Sequence, residues 1–138
     1  MPQALAILTF DTPGRGLTEI TEDIARWLRE SDIRVVVLTL FCQHTSASLL
    51  VTENASSAVH RDLIRWLGAA APDGAGYEHA GEGPDDMPAH IRSVLTGTSL
   101  SIPVADGRMK LGTWQGVFIA EHRTRAHKRT IAAHIHGD

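Results

Sequence analysis

The stretch Ile33-Arg34-Val35-Val36-Val37-Leu38-Thr39-Leu40-Phe41-Cys42 is nearly continuous in β-branched and apolar residues. Branched side chains lose freedom in a helix and pack well on a pleated surface. The stretch therefore reads as a strand, and its lack of alternation predicts burial on both faces or nearly so. Such a strand needs layers to cover it. A chain of 138 residues is enough for one core, so residues 1–138 are expected to form a single domain.

The flanking sequence supplies the other elements. Leu5 to Phe10 predicts an opening strand, closed by the turn-rich Asp11-Thr12-Pro13-Gly14-Arg15-Gly16. Thr18 is expected to cap a helix carrying Ile20, Ile24, Trp27 and Leu28 on one face and ending near Ser31. Ala47 to Thr52 reads as a short strand. Asn54 is the expected cap of a second helix with apolar positions at Val59, Leu63, Trp66 and Leu67. Gly68 to Pro84 is a glycine-rich connection, long for so small a domain, and such loops are usually functional or disordered. Asp86 is expected to cap a third helix over Met87 to Leu95, with Pro88 tolerated in its first turn. Strands follow at Leu100–Val104, Gly116–Glu121 and Arg129–Ile135, the last two joined by a polar hairpin. This order predicts an α+β fold with a mostly antiparallel β-sheet and two to three helices.

Charge and composition narrow the partners. A net charge of -3 argues against nucleic acid, which calls for a basic patch or stripe. The short cluster Arg123, Arg125, Lys128 and Arg129 suits a small anion instead. Cys42 is the single cysteine, which rules out an intrachain disulfide and fits a reducing compartment; a buried, inert thiol is expected. Met1 to Leu5 lacks the basic and apolar segments of a secretory signal, and no run approaches the roughly 20 apolar residues that span a bilayer. The expectation is a soluble, cytoplasmic protein without a membrane partner.

Histidine is abundant, with eight residues. It is the commonest protein metal ligand and titrates near neutral pH. His60 and His127 read as surface residues, and His134 and His136 as lying on a solvated or interface edge. That leaves His44, His79, His90 and His122, each in a loop or near the end of an element. His44 opens a run of small hydroxyl residues, Thr45, Ser46 and Ser48, that can hold a phosphate or orient a ligand. A satisfied turn is the plainer alternative. His79 and His90 bracket Glu82, Asp85 and Asp86, a mixture of imidazole and carboxylate that suits zinc, manganese or iron. For Asp86 itself, helix capping is the favoured role. In Glu121-His122-Arg123, strand alternation sends His122 to the face opposite its neighbours, which are free to form a structural ion pair.

Further runs complete a pattern: Glu53-Asn54-Ala55, Arg61-Asp62-Leu63, Ser99 to Val104, and above all Gly107 through Leu111-Gly112-Thr113-Trp114-Gln115-Gly116. Together with His44 to Ser48, Asp85 to Ile91 and Glu121-His122-Arg123, they resemble the YjbQ-like family, also described as the secondary thiamine-phosphate synthase family. The resemblance spans nearly the whole chain. It implies the YjbQ-like fold and a homotrimer with sites near subunit boundaries. It also implies a divalent metal, zinc above others, held by His79, His90 and His122, with His44 close by as a fourth ligand or a substrate contact. Asn54, Asp62, Glu82, Asp85, Thr113, Trp114 and Gln115 are implied as site or supporting residues. Trp114 has a physical reading of its own, a flat surface for stacking a heteroaromatic ring, or else an anchor in the core or an interface.

Two kinds of chemistry are compatible with this set. A transferase joining a hydroxymethylpyrimidine diphosphate to a thiazole phosphate would use the metal, Arg123 and the Thr45/Ser46/Ser48 hydroxyls on the departing diphosphate. A metal-assisted hydrolase or lyase would use Glu82 or Asp85 as general base. A non-catalytic trimer binding a metal or metabolite is the alternative of a different class. In each case the partner is a small, phosphorylated or otherwise polar ligand.

Overall fold

The computed structural model describes residues 2–138. In chain order the elements are β1 (Gln3–Thr12), β2 (Gly16–Glu19), α1 (Thr21–Ser31), β3 (Val36–Cys42), β4 (Ala47–Glu53), α2 (Ser57–Ala70), α3 (Asp86–Thr96), β5 (Ser99–Ala105), β6 (Arg108–Met109), β7 (Gln115–Glu121) and β8 (His127–Gly137). The strands form two sheets, ordered β1-β8-β3-β5-β6 and β2-β7-β4, and every pairing is antiparallel. The α+β expectation holds, with two sheets in place of one.

The core lies between the sheets. The larger sheet contributes Leu38, Leu40, Ile131, Ala133, Ile135 and Ile102, and the smaller one Leu49, Val117 and Ile119. Helix α1 adds Ile24 and Leu28, as the helical spacing required. On the opposite face of the smaller sheet, Phe118 meets the ring of His60 on α2 edge-on, and Ser48 meets Thr96 on α3. The two later helices therefore cover that face.

Several local expectations are corrected. Thr18 does not cap α1: residues Gly16–Glu19 pair with β7 as a strand, and the helix begins at Thr21. A residue paired across a ladder has an extended backbone, which tertiary pairing favours over a local cap. Asn54 does not cap α2, whose cap position is Ser56; its side-chain amide donates to Glu19 instead. On α2 only Leu67 is buried, while Leu63 and Trp66 face outward. His60 is half-buried, its Nε2 2.6 Å from the carbonyl of Glu53, and is not a surface residue. His134 and His136 stack on β8, which runs between β1 and β3 and is not an edge strand.

The strongest sequence signal also resolves differently from its expectation. β3 alternates, with Val36, Leu38, Leu40 and Cys42 buried and Val37 and Phe41 52% and 48% exposed. Leu5 and Ile7 on β1, at 69% and 53%, belong to the same outward face. A continuous apolar run cannot say whether the second face is covered by the chain's own elements or left open. Here it is left open.

One ion pair lies inside the core. Glu121 at the end of β7 is fully buried and accepts from Arg129 on β8 and from the Thr12 hydroxyl. Burial alone would raise the Glu121 carboxyl, but these hydrogen bonds and the Arg123 amide hold it below its usual value. Arg129→Met would leave that carboxylate buried and unpaired, so urea denaturation is expected to show a loss of about 3–5 kcal/mol. A loss below about 1 kcal/mol would mean that the pair is solvated in solution.

Candidate metal site

Three consecutive residues at the end of β7 point in alternating directions and organise everything around them. Glu121 turns into the core toward Arg129. His122 turns the opposite way, beneath α3, with its Nε2 2.8 Å from Ser48 Oγ. Arg123 reaches the start of α3, where its Nε donates to Asp85 at 3.0 Å, one Nη to Asp86 at 2.8 Å, and the other to the Glu82 carbonyl at 3.0 Å. Glu121 and His122 point oppositely, as successive strand residues do, while Arg123 lies in the bend after β7 and reaches the α3 carboxylates from there.

Asp86, at the first position of α3, does not cap the helix. The cap position belongs to Asp85, which makes no side-chain cap bond either. Instead one Asp86 oxygen receives Arg123 while the other lies 2.7 Å from His79 Nε2 and 3.3 Å from His90 Nε2. His90 lies one helical turn beyond Asp86, on the same face of α3. His79 comes from the loop between α2 and α3. The donor atoms of His79, Asp86 and His90 all lie within 4.8 Å of one another. Asp86 is buried, which raises a carboxyl, but the His79 hydrogen bond and the charges of His90 and Arg123 hold it below its usual value.

Two nitrogens and one carboxylate oxygen suit zinc, iron or manganese. The outer oxygen of the carboxylate, fixed by Arg123, is oriented as metal-ligating carboxylates commonly are. The side chains of His79 and His90 are 50% and 32% exposed, which leaves room for solvent or ligand beside the cluster. The residues present therefore fit a divalent ion. On one side opens a cleft of about 330 Å³ bordered by Gly76, Tyr77, His79, Gly83 and Met87. On the other is one of about 320 Å³ bordered by His44, Thr45, His90, Ser93 and Gly97. A larger cavity, about 600 Å³, lies apart from these, by the C-terminal end of α1, and no histidine lines it.

The residues singled out in the sequence are thus divided. His79 and His90 come together, with Asp86 as the third member in place of His122. His122 is buried between Ser48 and Arg92; burial first, then the charge of Arg92, pushes its ring down to about 4. The Nε2 of His44 accepts the Thr130 amide at 2.8 Å, so that nitrogen is occupied by backbone. Ser46 Oγ accepts from Arg129, and Ser48 is wholly buried against Thr96 and His122. Asp85 also receives the Thr124 amide and hydroxyl, and with Arg123 these outweigh burial and hold it well below the usual carboxylate range. A carboxylate so engaged is a poor proton acceptor, and the Arg123 that engages it is not free for a phosphate. Glu82 is exposed at the rim. Asp62 pairs with Arg65, on the surface of α2.

Asn54, Thr113, Trp114 and Gln115 lie elsewhere. In the smaller sheet Ala47 pairs with Glu121 and Glu53 with Gln115, so Asn54 and the 112–115 loop stand at the far end of β4 and β7. Six residues of rise separate the two ends by about 20 Å. At that far end Gly116 is closely packed: a Cβ there would sit 2.5 Å from a Glu19 carboxylate oxygen, 3.0 Å from Asn54 Cβ and 3.1 Å from the Phe118 ring, so these side chains would have to shift. Trp114 is 62% exposed. The single site of the sequence reading is two regions in one chain. The periodicity of each segment was visible, but strand pairing decides which ends meet.

The model of the "UPF0047 protein YjbQ-like" family matches residues 6–138. The chain belongs to that family. A UPF0047 protein of Synechocystis is 46% identical over 133 residues, covering 96% of this chain and 90% of the relative. The UPF0047 protein YjbQ of Escherichia coli O157:H7 is 42% identical over 132 residues, with 95% and 96% covered. Among solved structures, a conserved hypothetical protein of Thermus thermophilus superposes with a TM-score of 0.83 at 32% identity, covering 93% of this chain and 97% of that one. A YjbQ-like protein of unknown function from Sulfolobus solfataricus has a TM-score of 0.87 at 18% identity, over 99% and 100% of the two chains, and shows the shared fold alone.

His122 supplies a pH test. Its folded value lies below the ordinary 6.5, so as pH falls through that value the unfolded chain gains a proton that the folded chain refuses until about 4. Stability is therefore lost with falling pH across this window. His122→Asn keeps a partner for Ser48 and removes the titration. Between pH 7 and pH 5 the wild type is expected to lose about 2 kcal/mol more than the variant in chemical denaturation. Parallel losses would mean that the ring is solvated.

Proposed function

We propose that this protein is a metal-dependent enzyme acting on a small, phosphorylated ligand, with the metal held by His79, Asp86 and His90. The observation that carries the reading is the convergence of two imidazoles on the buried Asp86 carboxylate, whose other oxygen Arg123 holds. A bound divalent ion supplies Lewis acidity there, polarising a ligand oxygen and activating water near neutral pH. The chain's own residues do the rest. Arg123 fixes the carboxylate, His44 and Thr45 border the cleft beside His90, and Glu82, exposed at the rim beside Asp86, is the proton acceptor that Asp85 cannot be. Hydrolysis or a lyase reaction fits this arrangement best, because no arginine is left unpaired at the cluster itself to take the charge of a departing diphosphate.

Thiamine-phosphate synthesis is the second reading. It rests on the resemblance to the secondary thiamine-phosphate synthase family and on Trp114, an exposed ring suited to stacking a heterocycle. Within one chain that ring is too far from the histidines, so this reading needs a neighbouring copy to bring it there. A homotrimer would also cover Leu5, Ile7, Val37 and Phe41, an apolar face that a monomer leaves in water. Zinc titration of metal-stripped protein is expected to give one site per chain, lost or weakened at least tenfold in Asp86→Asn, since losing an oriented ligand costs about that much or more. Unchanged zinc affinity in the variant would end the metal reading. In sedimentation, the trimer is expected at about 45 kDa against 15.0 kDa for one chain, and Phe41→Lys should shift it toward the monomer. A wild type that sediments as a monomer would remove the second reading.

A further inference from the structure

Arg92, on α3, is 2% exposed, and its Nε is the one buried side-chain nitrogen or oxygen atom without a partner among the described residues. Leaving a charged donor unsatisfied in the interior is costly, so this atom calls for an account. One of its Nη atoms donates to the Ala71 carbonyl at 2.9 Å and lies 3.8 Å from an oxygen of Asp73. A second guanidinium converges on the same carboxylate. Arg15, in the turn between β1 and β2, is anchored by Nε and one Nη on the His122 carbonyl, at 3.2 and 3.1 Å. Its two Nη atoms grip both oxygens of Asp73, at 2.8 and 2.9 Å. This fork is the main cause that holds the Asp73 carboxyl below its usual value.

We propose that Arg15 and Arg92 form a binding site for the phosphoryl group of a small ligand, and that Asp73 occupies it until the ligand displaces it. A carboxylate has two oxygens, and the Arg15 fork uses both. Arg92 keeps its bond to the Ala71 carbonyl but reaches Asp73 only at 3.8 Å, and its Nε has no partner. A phosphoryl group offers a third oxygen, which can reach Arg92 while the fork on Arg15 is kept. Two cations facing one carboxylate also leave an excess positive charge that a dianion cancels. Asp73 is placed to move. It lies 36% exposed on the loop between α2 and α3, followed by Gly74 and Gly76, both with positive φ. The Gly74 amide donates to the Pro84 carbonyl, next to Asp85 and Asp86, so displacement of Asp73 pulls on the segment that carries the histidine cluster. The class of ligand agrees with the reading of the metal site, but the anion site stands on its own two arginines.

The test is a titration with inorganic phosphate on protein stripped of metal, followed by nuclear magnetic resonance or calorimetry. Asp73→Asn removes the competing charge and is expected to bind phosphate about tenfold more tightly than wild type, or more. Adding Arg15→Gln to that variant should abolish the gain, and Arg15→Lys, which keeps the charge without the fork, should restore it in part. Acetate should bind Asp73→Asn at least about tenfold more weakly than phosphate. Phosphate affinity unchanged by Asp73→Asn, a gain that survives the loss of Arg15, or acetate binding as tightly as phosphate would each overturn the proposal. Circular dichroism of each variant confirms that it is folded, and a zinc titration of Asp73→Asn reads the histidine cluster separately, so failure of one site is not mistaken for failure of the other.

Discussion

The salt bridge from Arg123 to Asp85 and Asp86 is the joint on which the candidate site hangs. Its members are nearly out of water, with side-chain exposures between 4% and 11%, so the charges are weakly screened and depend on one another. Through it the end of β7 holds the first turn of α3, and that turn sets the direction of the Asp86 carboxylate. His90 follows one turn later on the same rigid helix. His79 is the looser partner, carried by a glycine-rich loop. A site with two ligands on a helix and one on a loop can admit a ligand from the loop side without disturbing its base.

Charge is distributed around β7 in a way that sorts structural from chemical roles. Glu121 and Arg129 satisfy each other inside the core, and Arg123 is consumed by two carboxylates. His122 is neutral near pH 7 because burial and Arg92 disfavour a second positive charge beneath α3. What remains open at this end of the molecule is the pair of half-exposed histidines, Glu82 at the rim, and the two arginines that share Asp73. Residues with the same chemistry in the sequence thus have different fates, decided by how many partners each already has.

Much of the fold was legible in the sequence because its signals are local. The spacing of Ile20, Ile24 and Leu28 places the buried face of α1, and the apolar run of β3 marks a strand without telling which of its faces is covered. The caps were read less well. Thr18, Asn54 and Asp86 all have side chains that cap helices in isolation, and each has a stronger partner here: a β-ladder, Glu19, and the Arg123–histidine cluster. Competition between a local cap and a distant partner cannot be scored from the segment that contains the cap.

By itself, the sequence determined which residue types were at hand and where most helices and strands would lie, since propensity and periodicity act within a few residues. It pointed to His79 and His90 for the same reason: they flank a short acidic stretch. Only the tertiary structure decided that Asp86, not His122, stands beside them, that Arg123 is spent, and that Trp114 lies at the other end of the sheet. Those outcomes depend on the register between β4 and β7 and on the packing of α3 against them. Register is a long-range property: it follows from which whole faces must be buried together, and no single segment contains that information.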